Sequence, residues 1–241
     1  MIIQSTQNEK IKTWAKLHHK KGRDEAKQFL VEGEHLIREA ITRNCLEVLL
    51  IEEGLCSSFE GNTIECSHEV LKKLSQSISG TTMIGVCRMI ETEPENSNRV
   101  LLLDNIQDPG NLGTIIRTAH SFNFDAIYCS EDCVDLYNDK TIRSTQGAFF
   151  HIPVIRTDLE NQFKLLKEDD FTIIGTSLKR AIPFAQSKEE SKVALLFGNE
   201  GQGVQDKYLE QTDYNVKIEI NEFDSLNVAI AAGICMYRYR K

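Results

Sequence analysis

The last eighteen residues, Asp224 to Lys241 (DSLNVAIAAGICMYRYRK), constrain the fold more than any other stretch of the chain. Asp224 and Ser225 are good helix-capping residues and an apolar run follows directly, which predicts a helix starting here. Leu226, Ile230, Ile234 and Tyr237 form one stripe at helical spacing, while Val228, Ala231, Ala232 and Cys235 fill the other side. A helix apolar all round is expected to be buried. Ala229, Ala231, Ala232 and Gly233 carry almost no side chain, and a helical glycine costs about 1 kcal/mol against alanine, so a close backbone approach is expected there. Ser225 and Asn227 sit at the first turn, where free N–H groups and the positive dipole end favour a polar or anionic partner. Alone, the stretch reads equally well as a capped core helix with two solvated polar residues.

The 241 residues suffice for one large domain or two modest ones. No apolar run is long enough to span a membrane and MIIQSTQNEK lacks the form of a signal peptide, so a cytoplasmic protein is expected. Seven cysteines without CxxC spacing and six histidines without an HExxH pattern point to reduced thiols and no metal. The net charge of −8 does not suggest a nucleic-acid binder as a whole. One run does: between Glu9 and Lys27, the cations Lys10, Lys12, Lys16, Lys20, Lys21, Arg23 and Lys27 outnumber three acids. It fits a phosphate-contacting patch or the solvated face of an amphipathic helix.

Residues 5–21 read as one helix with Ile11, Trp14, Ala15 and Leu17 inward. Strands and helices then alternate up to Arg88, giving a small α/β unit over 1–91. Residues 92–99 fall in the polar stretch ETEPENSN and its exit, and are expected to form a linker. Residues 100–241 start with the buried strand VLLLD and alternate again, with strands expected at 126–129, 147–155, 171–176, 193–197 and 214–220. Such alternation implies an α/β fold with a mostly parallel sheet and ligands at its carboxyl edge. Asp108 caps a helix with Pro109 at its first position. In the segment PGNLGTIIR, Arg117 follows Gly113 by four residues and Gly110 by seven, which puts it on the face the glycines leave bare. Strand 193–197 runs into Gly198-Asn199-Glu200-Gly201-Gln202-Gly203. Its spacing matches neither GxxxxGK[ST] nor GxGxxG, so ATP or NAD binding is disfavoured. Glu200 has no packing role at the centre of such a loop.

Jointly, NLGTIIRTA, LLFGNEGQG and SLNVAIAAGI resemble, in order and spacing, the three motifs of the SpoU/TrmH branch of the SPOUT RNA 2'-O-ribose methyltransferases. Arg143-Ser144-Thr145-Gln146-Gly147-Ala148 also looks like a family segment, and residues 5–90 resemble its substrate-binding domain more weakly. The resemblance implies a SPOUT sheet whose carboxyl-terminal segment threads a trefoil knot, a homodimer, S-adenosyl-L-methionine as cofactor, and methyl transfer to a ribose 2'-hydroxyl of rRNA or tRNA. By the same likeness Thr176, Leu196, Gly198, Asn199, Gly201, Ile218, Ile220, Leu226 and Asn227 hold the cofactor. Arg117 handles the hydroxyl and its phosphate, and Asn111, Glu200, Ser225 and Asn227 position the reacting groups. The likeness shifts Lys10, Lys12, Lys16, Lys20, Lys21 and Arg23, with Arg143 at the catalytic domain, toward RNA contact. A catalytically inactive RNA-binding or ribosome-assembly protein on the same fold is the alternative, and the intact polar motif residues argue against it.

Overall fold

Alternating branched-apolar and helix-forming stretches build two separate sheets. The structure, a computed structural model, describes residues 2–178, 180–221 and 225–240, so Asp224, expected to cap the last helix, lies outside the described residues. In chain order the first elements are β1 (Ile2–Ile3), α1 (Glu9–Ala15), a 3-10 turn (Lys16–His18), α2 (Lys20–Ala26), β2 (Gln28–Glu32), α3 (Glu34–Thr42) and β3 (Leu46–Glu52). Next come β4 (Asn62–Cys66), α4 (His68–Leu74), β5 (Met83–Arg88), β6 (Arg99–Leu103), α5 (Pro109–Ser121), β7 (Ala126–Cys129) and α6 (Asp139–Thr145). A 3-10 turn (Ala148–Phe150), β8 (Val154–Arg156), α7 (Leu159–Glu168), β9 (Thr172–Thr176), β10 (Ile182–Pro183) and a further 3-10 turn (Phe184–Gln186) follow. The chain ends with β11 (Val193–Phe197), α8 (Asp206–Leu209), β12 (Tyr214–Lys217) and α9 (Val228–Tyr239).

The chain divides into one unit of Met1–Glu91 with Tyr137–Phe150 and a second of Thr92–Leu136 with His151–Lys241. The first has a mixed sheet ordered β1-β4-β3-β5-β2, its core formed by Ile11, Trp14 and Leu17 against Val70, Leu71, Leu74, Leu50 and Ile84. Residues 137–150 depart from the expected division. They belong to the first unit because the Phe29 ring packs tilted against Tyr137 at 4.8 Å and edge-on to Phe149 at 5.8 Å, and Gln146 O meets His35 Nε2 at 3.0 Å. The expected strand 147–155 is broken: Gly147 has φ +89 and opens a 3-10 turn, and pairing starts only at Val154. The expected helix 5–21 is likewise broken at His19, whose extended backbone (ψ 141) separates the 3-10 turn from α2.

The second unit holds seven parallel strands ordered β10-β12-β9-β11-β6-β7-β8. Its inner strands read as near-continuous apolar runs because both faces are covered. Register aligns Phe197 with Leu103 and Leu196 with both Leu102 and Gly175, so β11, β6 and β9 end side by side. Three loops therefore open at one edge: 198–205, 104–108 and the one that starts at Ser177 and Leu178. Helix α9 runs parallel to α5: Asn227 meets Asn111, Gly233 faces Thr118, and Tyr237 packs edge-on to Phe122. Against expectation, α9 is not buried all round. Ala229, Ala232, Cys235, Met236 and Tyr239 are buried, but Ile230 and Tyr237 are 55% and 56% exposed, because α5 and β11 cover only one side.

Candidate active site at the carboxyl edge of the second sheet

Glu200 is where the three sequence motifs meet. Its carboxylate accepts hydrogen bonds from Asn111 Nδ2 at 3.0 Å and from the backbone N–H groups of Gln107 and Asp108 at 3.2 and 3.1 Å. Asn227 Nδ2 donates to Asn111 Oδ1 at 3.0 Å, so a continuous chain of three side chains runs from loop 198–205 through α5 to α9. Both helices bring their amino-terminal ends here, since Asp108 caps α5 and Asn227 Oδ1 caps α9 by accepting from Ala229 and Ile230. Two positive dipole ends beside one carboxylate favour its ionised form. Burial works to raise the Glu200 pKa, but the hydrogen bonds from Asn111, from its own backbone and from Asp108 and Gln107 outweigh it and hold it below the ordinary 4.5. Glu200 is thus a fixed anion suited to orienting neighbours and poorly suited to taking a proton near neutrality.

The glycine loop is shaped from within. Asn199 Oδ1 accepts from the N–H groups of Gly201 and Gln202 at 3.0 and 3.1 Å, and Asn199 and Gly203 exchange two backbone hydrogen bonds. Gly198 sits beneath this turn: a Cβ there would lie 2.2 Å from Val204 N and 2.3 Å from Gly203 C. Gly201 carries no such demand, since a Cβ there would meet nothing nearer than Asn199 Oδ1 at 3.7 Å. The buried Asp104 carboxylate fixes the far end by accepting from Gln205 N and Nε2 at 2.9 and 2.7 Å.

Around this loop lies a cavity of about 440 Å³, lined by Thr176, Gly198, Asn199, Gly201, Ile218, Ile220, Ser225 and Leu226. Leu178, Val204, Val216 and Val228 add apolar walls. The volume falls within the range that holds a nucleoside-sized ligand, and apolar walls with exposed backbone suit a purine ring.

The sequence and fold find consistent counterparts among known proteins. Residues 98–237 match the model of the SpoU rRNA Methylase family, and residues 8–85 match the MRM3-like substrate binding domain. The chain belongs to the SpoU rRNA methylase family. It is 38% identical to the Bacillus subtilis 23S rRNA (guanosine(2553)-2'-O)-methyltransferase RlmP, with 99% of this chain and 98% of that one covered. The structure of an AdoMet-bound rRNA methyltransferase from Sinorhizobium meliloti superposes with a TM-score of 0.89 at 26% identity, covering 98% and 96% of the two chains. An RNA 2'-O ribose methyltransferase structure superposes with a TM-score of 0.84 at 28% identity, covering 98% and 97%. The mostly parallel sheet is that of SPOUT proteins.

Within this SpoU frame the residues singled out in the sequence fall into groups. Asn111, Glu200 and Asn227 are joined by hydrogen bonds, and Ser225 lies on the cavity wall. Leu196 is buried behind the wall, where its carbonyl accepts from Thr176 Oγ1 at 2.8 Å. Asn227 meets Asn111 and is absent from the cavity lining. Arg117 stands apart: it is exposed on α5 about 9 Å along the helix from Asn111, whereas Gly113 is buried. Lys10, Lys12, Lys16, Lys20 and Lys21 are exposed, three of them beside Glu9, Asp24 and Glu25. Arg23 corrects its expected role. It is 4% exposed and donates to Leu17 O at 2.8 Å, because the break at His19 folds α2 back under the 3-10 turn. Arg143 pairs with Asp139 at 2.8 Å and belongs to the first unit rather than the catalytic one. Sequence reasoning missed the Gln107 and Asp108 amides, Ser177, Leu178 and Val204; backbone donors leave no mark in side-chain identity.

A pH prediction follows from Glu200. Since its folded pKa is depressed, its anchoring is complete above the unfolded value and is lost as pH falls through the folded one. Cofactor affinity measured calorimetrically should not change through Glu200 between about pH 8 and pH 5. An acid limb near pH 6 that disappears in Glu200→Gln would contradict this.

Proposed function

We propose that this protein transfers the methyl group of S-adenosyl-L-methionine to a ribose 2'-hydroxyl of large-subunit ribosomal RNA. The observation that carries the reading is the Glu200–Asn111–Asn227 chain of hydrogen bonds, which joins one residue of each motif, with Glu200 on the cavity wall. Thr176, Gly198, Ile218, Ile220 and Leu226 would hold the cofactor, with apolar walls about its adenine and backbone groups toward its polar edge. When bound, the cofactor supplies an electrophilic sulfonium methyl. The chain must supply orientation and relief of the hydroxyl's proton. Ionised Glu200 fixes the Asn111 amide, which in turn fixes the Asn227 amide, so both stand ready as donors and acceptors. Arg117, exposed on α5, binds the phosphate next to the target ribose and lowers the proton affinity of its hydroxyl. The proton released from the hydroxyl passes to solvent water.

The full-length likeness to the Bacillus subtilis enzyme makes the nucleotide corresponding to its guanosine 2553 the first position to test. Mapping 2'-O-methyl groups in RNA from cells with and without this protein should show one 23S rRNA site lost. An unchanged map would overturn the assignment of substrate.

The same reading includes RNA contact by Lys10, Lys12, Lys16, Lys20 and Lys21 in the first unit and by Arg143, supported by the match of residues 8–85 to a substrate binding domain. It also includes a cytoplasmic setting; among the described residues no helix is long and apolar enough to cross a membrane. The trefoil knot belongs to it too, supported by Arg238, whose Nη2 donates to Ser187 O at 2.7 Å and ties α9 to the segment between β9 and β11. A homodimer through α9 explains why Ile230, Ile234 and Tyr237 lie exposed at helical spacing. The double variant Ile230→Asp with Ile234→Asp should halve the mass seen by light scattering; an unchanged mass would place the interface elsewhere.

A further inference from the structure

Arg156 ends β8, where register sets it beside Cys129, and its guanidinium reaches beyond the strand into the turn 130–134. Nη1 donates to Ser130 O at 3.3 Å and also to Glu131 O, and Nη2 donates to Val134 O at 3.0 Å. Three carbonyls of one short turn converge on a single planar cation. A guanidinium fork can serve them together, whereas an ammonium on a shorter reach cannot.

The turn held in this way grips the next one. Ser130 N donates to Leu103 O at 2.9 Å and Val134 N donates to Ile106 O at 2.8 Å. In return Asn105 N donates to Ser130 Oγ at 2.9 Å, and Ile106 N donates to Cys133 Sγ at 3.3 Å. Asn105 has φ 57, in the left-handed region that asparagine tolerates better than most residues. In that conformation its carbonyl accepts from Asn199 Nδ2 at 2.9 Å, and the amides two and three residues later reach Glu200. Neither 104–108 nor 130–134 lies in a helix or strand, so these cross-turn bonds are what set their geometry.

We propose that Arg156 is a positioning residue for methyl transfer: by chelating turn 130–134 it holds Asn105 to Asp108 in the register that aims Glu200 and Asn111. The inference rests on the methyl-transfer reading given above. It concerns a residue outside the three motifs and outside the cavity wall.

The test uses the full-length protein with Arg156→Lys, which keeps the charge and most of the stem and loses the fork. The kcat for methylation of 23S rRNA should fall about tenfold or more, as small misplacements of orienting groups do. The KM for RNA and the calorimetric affinity for S-adenosylmethionine should stay within about twofold, because Arg156 and the turns 104–108 and 130–134 lie outside the cavity lining. Combined with Glu200→Gln, the variant should be no slower than Glu200→Gln alone; losses that multiply would overturn the proposal. Amide exchange followed by mass spectrometry supplies a readout independent of turnover. Protection should fall in 104–108 and persist in 198–203, which its own Asn199 and Gly203 hydrogen bonds hold, and in α7 and β9. Unchanged exchange in 104–108 overturns the role of Arg156 whether or not the protein methylates RNA. A loss of protection throughout, with cofactor affinity lost in parallel, marks a merely structural residue and overturns it as well. Failure of the unsubstituted protein to methylate RNA contradicts the functional reading instead, and the exchange pattern still decides Arg156.

Discussion

Arg117→Ala is expected to slow methyl transfer by about 10²–10³-fold while S-adenosylmethionine binds with nearly unchanged affinity. The separation of effects follows from placement. Arg117 is exposed on α5 and does not line the cavity formed by Thr176, Gly198, Ile218, Ile220 and Leu226. In the proposed role its removal would subtract a positive charge from the reacting nucleotide and leave the cavity walls intact. Labelled methyl transfer at saturating cofactor, alongside calorimetry, separates the two quantities. Cofactor affinity falling in step with rate would move Arg117 from the chemistry into the binding site. Lysine at this position should restore only part of the rate, because a point charge replaces the fork that clasps a phosphate at two oxygens.

Gly198→Ala is expected to abolish cofactor binding and to destabilise the second unit by about 3 kcal/mol, the upper end for overpacking. The added methyl would lie 2.2 Å from Val204 N and 2.4 Å from Gly203 O, both backbone atoms that no rotamer change can move aside. Relief requires the 198–205 turn to lift. That motion would break the paired Asn199–Gly203 hydrogen bonds and draw Glu200 away from Asn111. Gly201→Ala is the control, since its nearest neighbour at 3.7 Å is in ordinary contact. Thermal unfolding should show a large loss for Gly198→Ala and little change for Gly201→Ala, and calorimetry should show cofactor binding lost in Gly198→Ala. Equal behaviour of the two would contradict the described turn.

Much of the site was legible in sequence for a physical reason. Asn111, Glu200 and Asn227 are polar residues at strand-to-helix turns where packing asks for nothing polar, and they prove to be hydrogen-bonded to one another. The apolar strand runs VLLL and VALLF were legible as the centre of a parallel sheet because both faces are covered. Other features depend on distant parts of the chain. Arg23 resembles any other cation in a basic run until the break at His19 brings the carbonyl of Leu17 within its reach. No shift in composition marks residues 137–150 as part of the first unit; the aromatic contacts of Phe29 with Tyr137 and Phe149 do. The apolar completeness of α9 predicted burial on all sides, yet α5 and β11 cover only one, and Ile230, Ile234 and Tyr237 stay exposed. Arg156 carries no motif at all, because its partners are backbone carbonyls that any residue presents.

The most direct test is to incubate the purified protein with S-adenosylmethionine labelled in its methyl group and with unmodified 23S rRNA, then digest the RNA to nucleosides. A single 2'-O-methylated nucleoside carrying the label is the predicted product. Label on a base, or none on RNA while the cofactor is bound, would contradict the assignment of this pocket to ribose methylation.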